Sequence, residues 1–104
     1  MRKLLFNVIQ NFPGSARAGD AYYWFGVVFY EESRGGDRSK LELARMSFET
    51  AARTPHAEMV PEALLRLALT YDELGNAAAA RSTYASLRAR FPGTPAARAI
   101  PFGH

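Results

Sequence analysis

The chain of 104 residues contains no cysteine, which excludes a disulfide framework and any thiolate metal site. Histidine is scarce: His56 and His104 lie far apart and form no i, i+4 pair of the kind that helical metal sites use. No stretch approaches the roughly 18 consecutive apolar residues that a spanning helix needs. The two adjacent glycines, Gly35 and Gly36, lack the lysine-serine ending of a phosphate loop and follow no strand pattern. Adjacent carboxylates do occur, Glu31/Glu32 and Asp72/Glu73, but both pairs fall at helix ends, where solvation is the ordinary state. These absences remove the usual carriers of catalysis, so no enzyme and no cofactor is expected.

Hydrophobic residues make up 48% and charged residues 22% of the chain, ordinary values for one folded domain. The net charge is +3 with a pI near 9.6. Position matters more than sum: Asp20, Glu31 and Glu32 make residues 18–32 acidic, and Glu58, Glu62, Asp72 and Glu73 outweigh Arg66 in 58–74. Arginines follow each acidic segment, among them Arg38, Arg45 and Arg53, then Arg81, Arg88 and Arg90. Charge that alternates helix by helix describes solvated outer faces and argues against a nucleic-acid track.

What the chain has is internal repetition. Ala21-Tyr22-Tyr23-Trp24-Phe25-Gly26 with Phe29 returns as Ala63-Leu64-Leu65-Arg66-Leu67-Ala68 with Tyr71. An alanine-aromatic pair at helical spacing follows each copy, Ala44/Phe48 and Ala80/Tyr84, and a proline precedes each, Pro13 and Pro55. Phe12-Pro13-Gly14-Ser15 and Phe91-Pro92-Gly93-Thr94 nearly duplicate one another. A period of about 34 residues built from helix, turn, helix and a closing proline is the pattern of a helical solenoid.

Local signals place five main helices. The first covers about Arg2 to Phe12 and ends at Pro13-Gly14. Leu5, Val8, Ile9 and Phe12 share one of its faces, so the segment reads as an amphipathic helix although Arg2-Lys3 and Ala16-Arg17-Ala18 superficially suggest a signal peptide. The second begins near Ala18 to Asp20 and reaches Ser33, with Tyr22, Phe25, Gly26 and Phe29 as its inward stripe. Arg34-Gly35-Gly36-Asp37 breaks the chain, with Asp37 placed to cap a third helix to about Thr54, buried along Leu41, Ala44, Phe48 and Ala51. A fourth helix starts at Pro61 and runs to Leu74, and a fifth runs from Ala77 to Phe91. The expected organisation is one all-α domain: 1–14 as the trailing helix of a preceding half repeat, 18–56 and 60–93 as full repeats, and 94–104 as a stub. A start inside a repeat suggests a fragment of a longer repeat protein or a shortened gene product.

These residues resemble the tetratricopeptide repeat, whose first helix carries large, small and aromatic positions and whose second carries alanine and an aromatic before a closing proline. Gly26, Ala44, Ala68 and Ala80 fit its close helix crossings, and Phe29, Phe48, Tyr71 and Tyr84 its interlayer fillers. The wording of Asp20 to Gly26, Pro61 to Ala68, Leu74-Gly75-Asn76 and Phe91 to Ala97 resembles the C-terminal repeat domain of the periplasmic Tol-Pal-associated family often called YbgF or CpoB. A lipoprotein of the outer-membrane β-barrel assembly machinery uses similar wording. The resemblance implies a periplasmic protein-interaction scaffold serving Tol-Pal or cell division; without it, the expected location is cytoplasmic.

In such arrays the first helix of each repeat lines a concave groove. The groove positions are then Asp20, Tyr23, Trp24, Val27, Tyr30 and Glu31, with Glu62, Leu65, Arg66, Leu69, Asp72 and Glu73. Trp24 has two readings, groove or core, because an end helix can turn such a position inward. An apolar centre with a carboxylate rim suits a protein or peptide partner bearing basic residues, and lacks the lysines and asparagines of chaperone-tail clamps. The alternative is self-assembly into a homo-oligomer through exposed end helices, with Leu4, Leu5, Val8 and Ile9 pairing between copies.

Overall fold

The computed structural model describes residues 2–34, 36–101 and 103; Gly35 of the expected loop and His104 lie outside the described residues. Six helices follow one another: α1 (Arg2–Asn11), α2 (Ala16–Glu32), α3 (Arg38–Arg53), α4 (Val60–Glu73), α5 (Ala77–Arg90) and the short α6 (Pro95–Arg98). Among the described residues there is no strand. The described residues form an all-α array of successive helical hairpins.

The turns between hairpins show why the chain folds this way locally. After α1, Ser15 Oγ accepts the Ala18 amide at 3.1 Å and donates to the Phe12 carbonyl at 2.7 Å, so one hydroxyl closes one helix and opens the next. Thr94 repeats the arrangement before α6, accepting from the Ala97 amide at 3.2 Å and donating to the Phe91 carbonyl at 2.8 Å. The Ser15 cap starts α2 at Ala16, earlier than the apolar periodicity alone indicates. Gly14 and Gly93 take positive φ in these two turns, 77° and 84°. The third turn, Thr54-Pro55-His56-Ala57, puts His56 in the same left-handed region, at φ 64°.

The first hairpin is longer than the second. Phe29 to Ala44 spans 15 residues and Tyr71 to Ala80 spans 9. The excess lies in the extended end of α2, a longer loop and nearly one added turn at the start of α3, which Asp37 caps by accepting the Lys40 amide at 3.3 Å.

α2 packs on α3, α3 on α4 and α4 on α5, with α6 against α4 and α5. Ala44, Ala68 and Ala80 are completely buried at the crossings. At Gly26 the approach is very close, since a Cβ built there would stand 2.5 Å from the Phe48 ring. Gly19 is equally tight against Thr54, which the sequence pattern did not mark. Phe48, Tyr84 and Leu87 fill the interior, each worth roughly 1.5–3 kcal/mol in burial.

The expected inward stripe of α2 is only partly inward. Gly26 is buried, but Tyr22, Phe25 and Phe29 are half-exposed, and the buried set is instead Ala18, Gly19, Ala21, Tyr23 and Gly26. α2 has neighbours on three sides, α1, α3 and α4. Its buried residues therefore spread around the helix, and no single stripe marks them.

Candidate partner-binding face

The expected groove residues of α2 and α4 do not share one environment. Tyr23 is a correction. It is 5% exposed, its ring packed 5.8 Å from Phe48 and 5.0 Å from Trp24, because position 23 of α2 points into the junction with α3 and α4. Tyr23 is core. Trp24, one residue on, turns away from that junction; it lies edge-on to Tyr23 at 81° and keeps 39% of its surface exposed.

Asp20 has a structural task. α4 has no side-chain cap of its own, and the Met59 amide at its start donates to Asp20 Oδ1 at 2.9 Å. The carboxylate thus fastens the N-terminus of α4 to α2, a favourable place for negative charge. Val27, Leu65 and Leu69 are half-buried; Val27 packs on the main core, and Leu69 packs on the cluster of Ala68, Ala80 and Tyr84. Leu65 touches both. Glu62 and Arg66 are half-exposed on the same helix.

At the far end of the face, the Tyr30 hydroxyl donates to Glu73 Oε1 at 3.2 Å and ties α2 to α4. A recess of about 310 Å³ opens there, lined by Tyr30, Ser33, Arg34, Gly36, Leu41 and Glu73. Glu31 is exposed and pairs with Arg34 at 3.1 Å. Burial, then the Glu73 carboxylate, raise the pKa of Tyr30 above its ordinary value. Burial and the adjacent Asp72 do the same for Tyr84, so the Asp72 side chain stands at the α4–α5 seam. Ser33, Arg34 and Leu41 were not expected at the site; they flank a loop whose length the repeat pattern does not specify.

The groove positions that stay accessible are Trp24, the half-buried Val27, Leu65 and Leu69, and the charged Glu31, Glu62, Arg66, Asp72 and Glu73. No group of side chains among the described residues could hold a metal ion. Among those residues no helix is long and apolar enough to cross a membrane.

Comparison with known proteins agrees with this architecture. Residues 62–94, covering α4, α5 and the turn after them, match the tetratricopeptide repeat family. A TPR repeat-containing protein of Treponema pallidum (strain Nichols) is 35% identical over 84 residues. The match takes in 80% of this chain, which spans only 35% of that protein's length. No solved structure matches the chain. Residues 62–94 thus match a tetratricopeptide repeat and lie within an all-α array of helical hairpins.

Proposed function

We propose that this chain is a protein-interaction module whose α2–α4 face receives a peptide segment rich in basic and apolar residues. Tetratricopeptide repeats generally mediate protein–protein contacts, and the observation that carries the finer reading is the exposed Trp24 on α2 together with the accessible carboxylates Glu31 on α2 and Glu62 and Glu73 on α4. Aromatic anchors with a charged rim are what peptide grooves use for affinity and register. Asp20, engaged with the Met59 amide, serves the scaffold; Glu31, Glu62 and Glu73 are the rim. An envelope setting with Tol-Pal or division partners belongs to this reading on the wording of residues 20–26, 61–68 and 91–97.

The chain has one tryptophan, so Trp24 is its own reporter. Titration with an acetylated alternating leucine-lysine decapeptide should shift Trp24 emission in a saturable, salt-sensitive way. The leucine-glutamate counterpart should not. Each exposed ion pair is worth about 0.2–1 kcal/mol, so Glu62→Gln with Glu73→Gln should weaken binding about 2- to 30-fold. An unchanged emission, or equal responses to both peptides, would refute the assignment.

A further inference from the structure

The recesses of the array differ in how their charges are met. Between α1 and α3 a groove of about 250 Å³ is floored by Phe25 and Phe29, but Arg2 and Lys40 lie over Phe29 and both pair with Glu32. The recess beside α4 is satisfied in a similar way. Arg45 bonds Glu42 and Glu49 at 3.0 and 3.1 Å there, and Arg38 donates to the Leu74 carbonyl at 3.2 Å. A third recess, of about 440 Å³, lies where the turn between α3 and α4 meets the end of α5. It brings Arg53, His56 and Arg90 together with the apolar Ala57, Val60 and Phe91, and no carboxylate lines it. Arg90 makes no ion pair among the described residues; its guanidinium lies 5.0 Å from the centre of the Phe91 ring. Arg53 shares Glu49 with Arg45, and its side chain is 77% exposed, so that pair holds it weakly. Glu58 in the same turn is exposed and forms no part of the lining.

Arg53, Thr54 and Pro55 also line a neighbouring recess of about 360 Å³ that reaches Gly14, in the turn between α1 and α2, again with no carboxylate. The two recesses share these residues and form one trough along the turn edge of the array. An arginine in a last turn favours its own helix end; the fold adds to this by bringing the ends of α3 and α5 to one apolar-floored site. From Leu74 onward the sequence has no Asp or Glu, and Arg81, Arg88 and Arg98 strengthen the positive field. We propose that this trough binds an extended acidic segment of a partner protein, with aliphatic residues among its carboxylates. The guanidinium groups take the carboxylates, and Ala57 and Val60 receive the aliphatic side chains. An elongated trough suits a polypeptide better than a compact small molecule, which a concave pocket surrounds. Nucleic acid fits less well, because its bases stack on free aromatic faces and Phe91 gives its face to Arg90. The trough shares no residue with the groove positions on α2 and α4, so the two bindings are separable.

The probe is the leucine-glutamate decapeptide carrying fluorescein. On titration with the full chain its anisotropy should rise saturably, less so at high salt, while Trp24 emission stays unchanged. Amide shifts should map to residues 52–57, 90–91 and Gly14. Arg53→Gln with Arg90→Gln should weaken binding about 2- to 30-fold. Arg81→Gln with Arg88→Gln, the same change of charge outside the trough, should not; all four positions are exposed, and circular dichroism checks the fold of both variants. A serine-glutamate decapeptide, equally charged but without the aliphatic side chains, should bind more weakly. No binding overturns the proposal, as do shifts that map to the α2–α4 groove positions instead. So does equal weakening by the two pairs of substitutions, or equal binding of the serine-glutamate peptide or of an oligothymidylate of equal charge, since each makes charge alone the attraction.

Discussion

Replacing Gly26 by alanine adds one methyl group where α2 crosses closely over Phe48 of α3. The new Cβ would lie 2.5, 2.6 and 2.9 Å from three atoms of the Phe48 ring, where carbon atoms prefer about 3.5–4.0 Å. The ring must retreat by about 1 Å, yet Phe48 is 0% exposed and Tyr23 stands 5.8 Å away on one side. Overpacking of this kind costs roughly 1–3 kcal/mol. Alanine in place of glycine inside a helix returns about 1 kcal/mol. The expected net loss is therefore about 1 kcal/mol, a fall in Tm of about 4–8 °C for a domain of this size. Gly26→Leu should lose considerably more. Urea and thermal unfolding followed by circular dichroism measure both, and a double-mutant cycle with Phe48→Leu identifies the cause. With the ring gone, Gly26→Ala should become neutral or stabilising, a coupling of about 1 kcal/mol or more. A Tm that rises on Gly26→Ala alone, as helix propensity by itself dictates, would refute the close crossing.

Two further outcomes follow from local geometry. His56→Gly should stabilise the chain by about 1 kcal/mol, since a side chain in the left-handed region carries a penalty that glycine does not; a lower Tm would show that the exposed imidazole contributes more than the strain costs. Tyr30 and Tyr84 have folded pKa values raised above 10.0, which favours their neutral forms in the native state. Their contribution to stability is fully present below the unfolded value and is lost as pH rises through the folded values. Unfolding free energy should thus decline above about pH 10, more steeply than in Tyr30→Phe, and equal slopes for the two proteins would contradict the Tyr30–Glu73 arrangement.

The fold was largely legible because its signals are local. Asp37, Pro61 and Gly75 mark helix ends by their own chemistry, and Ala44, Ala68 and Ala80 mark crossings by size alone. What failed was the assignment of faces on α2. A helix with one neighbour shows one apolar stripe, but α2 has three, so Tyr23 and Phe25 look alike in the sequence and end in the core and in a half-open groove. Asp20 shows the same limit for polar residues. A carboxylate on the face of a first helix reads as ligand-binding, and its pairing with an amide 39 positions away depends on a turn that no local pattern specifies. The groove over Phe25 and Phe29 was hidden for a related reason, since it exists only once α1 and α3 stand on either side of α2.

The order of packing bears on how the chain is made. Each of the main helices meets the next one along the chain, and α2's contact with α4 spans only one intervening helix. A chain emerging vectorially from the ribosome can bury each hairpin as soon as its second helix is complete, without holding apolar surface open for a distant segment. Among the described residues α1 packs on α2 alone, so its contact surface is covered as soon as the 17 residues of α2 have formed.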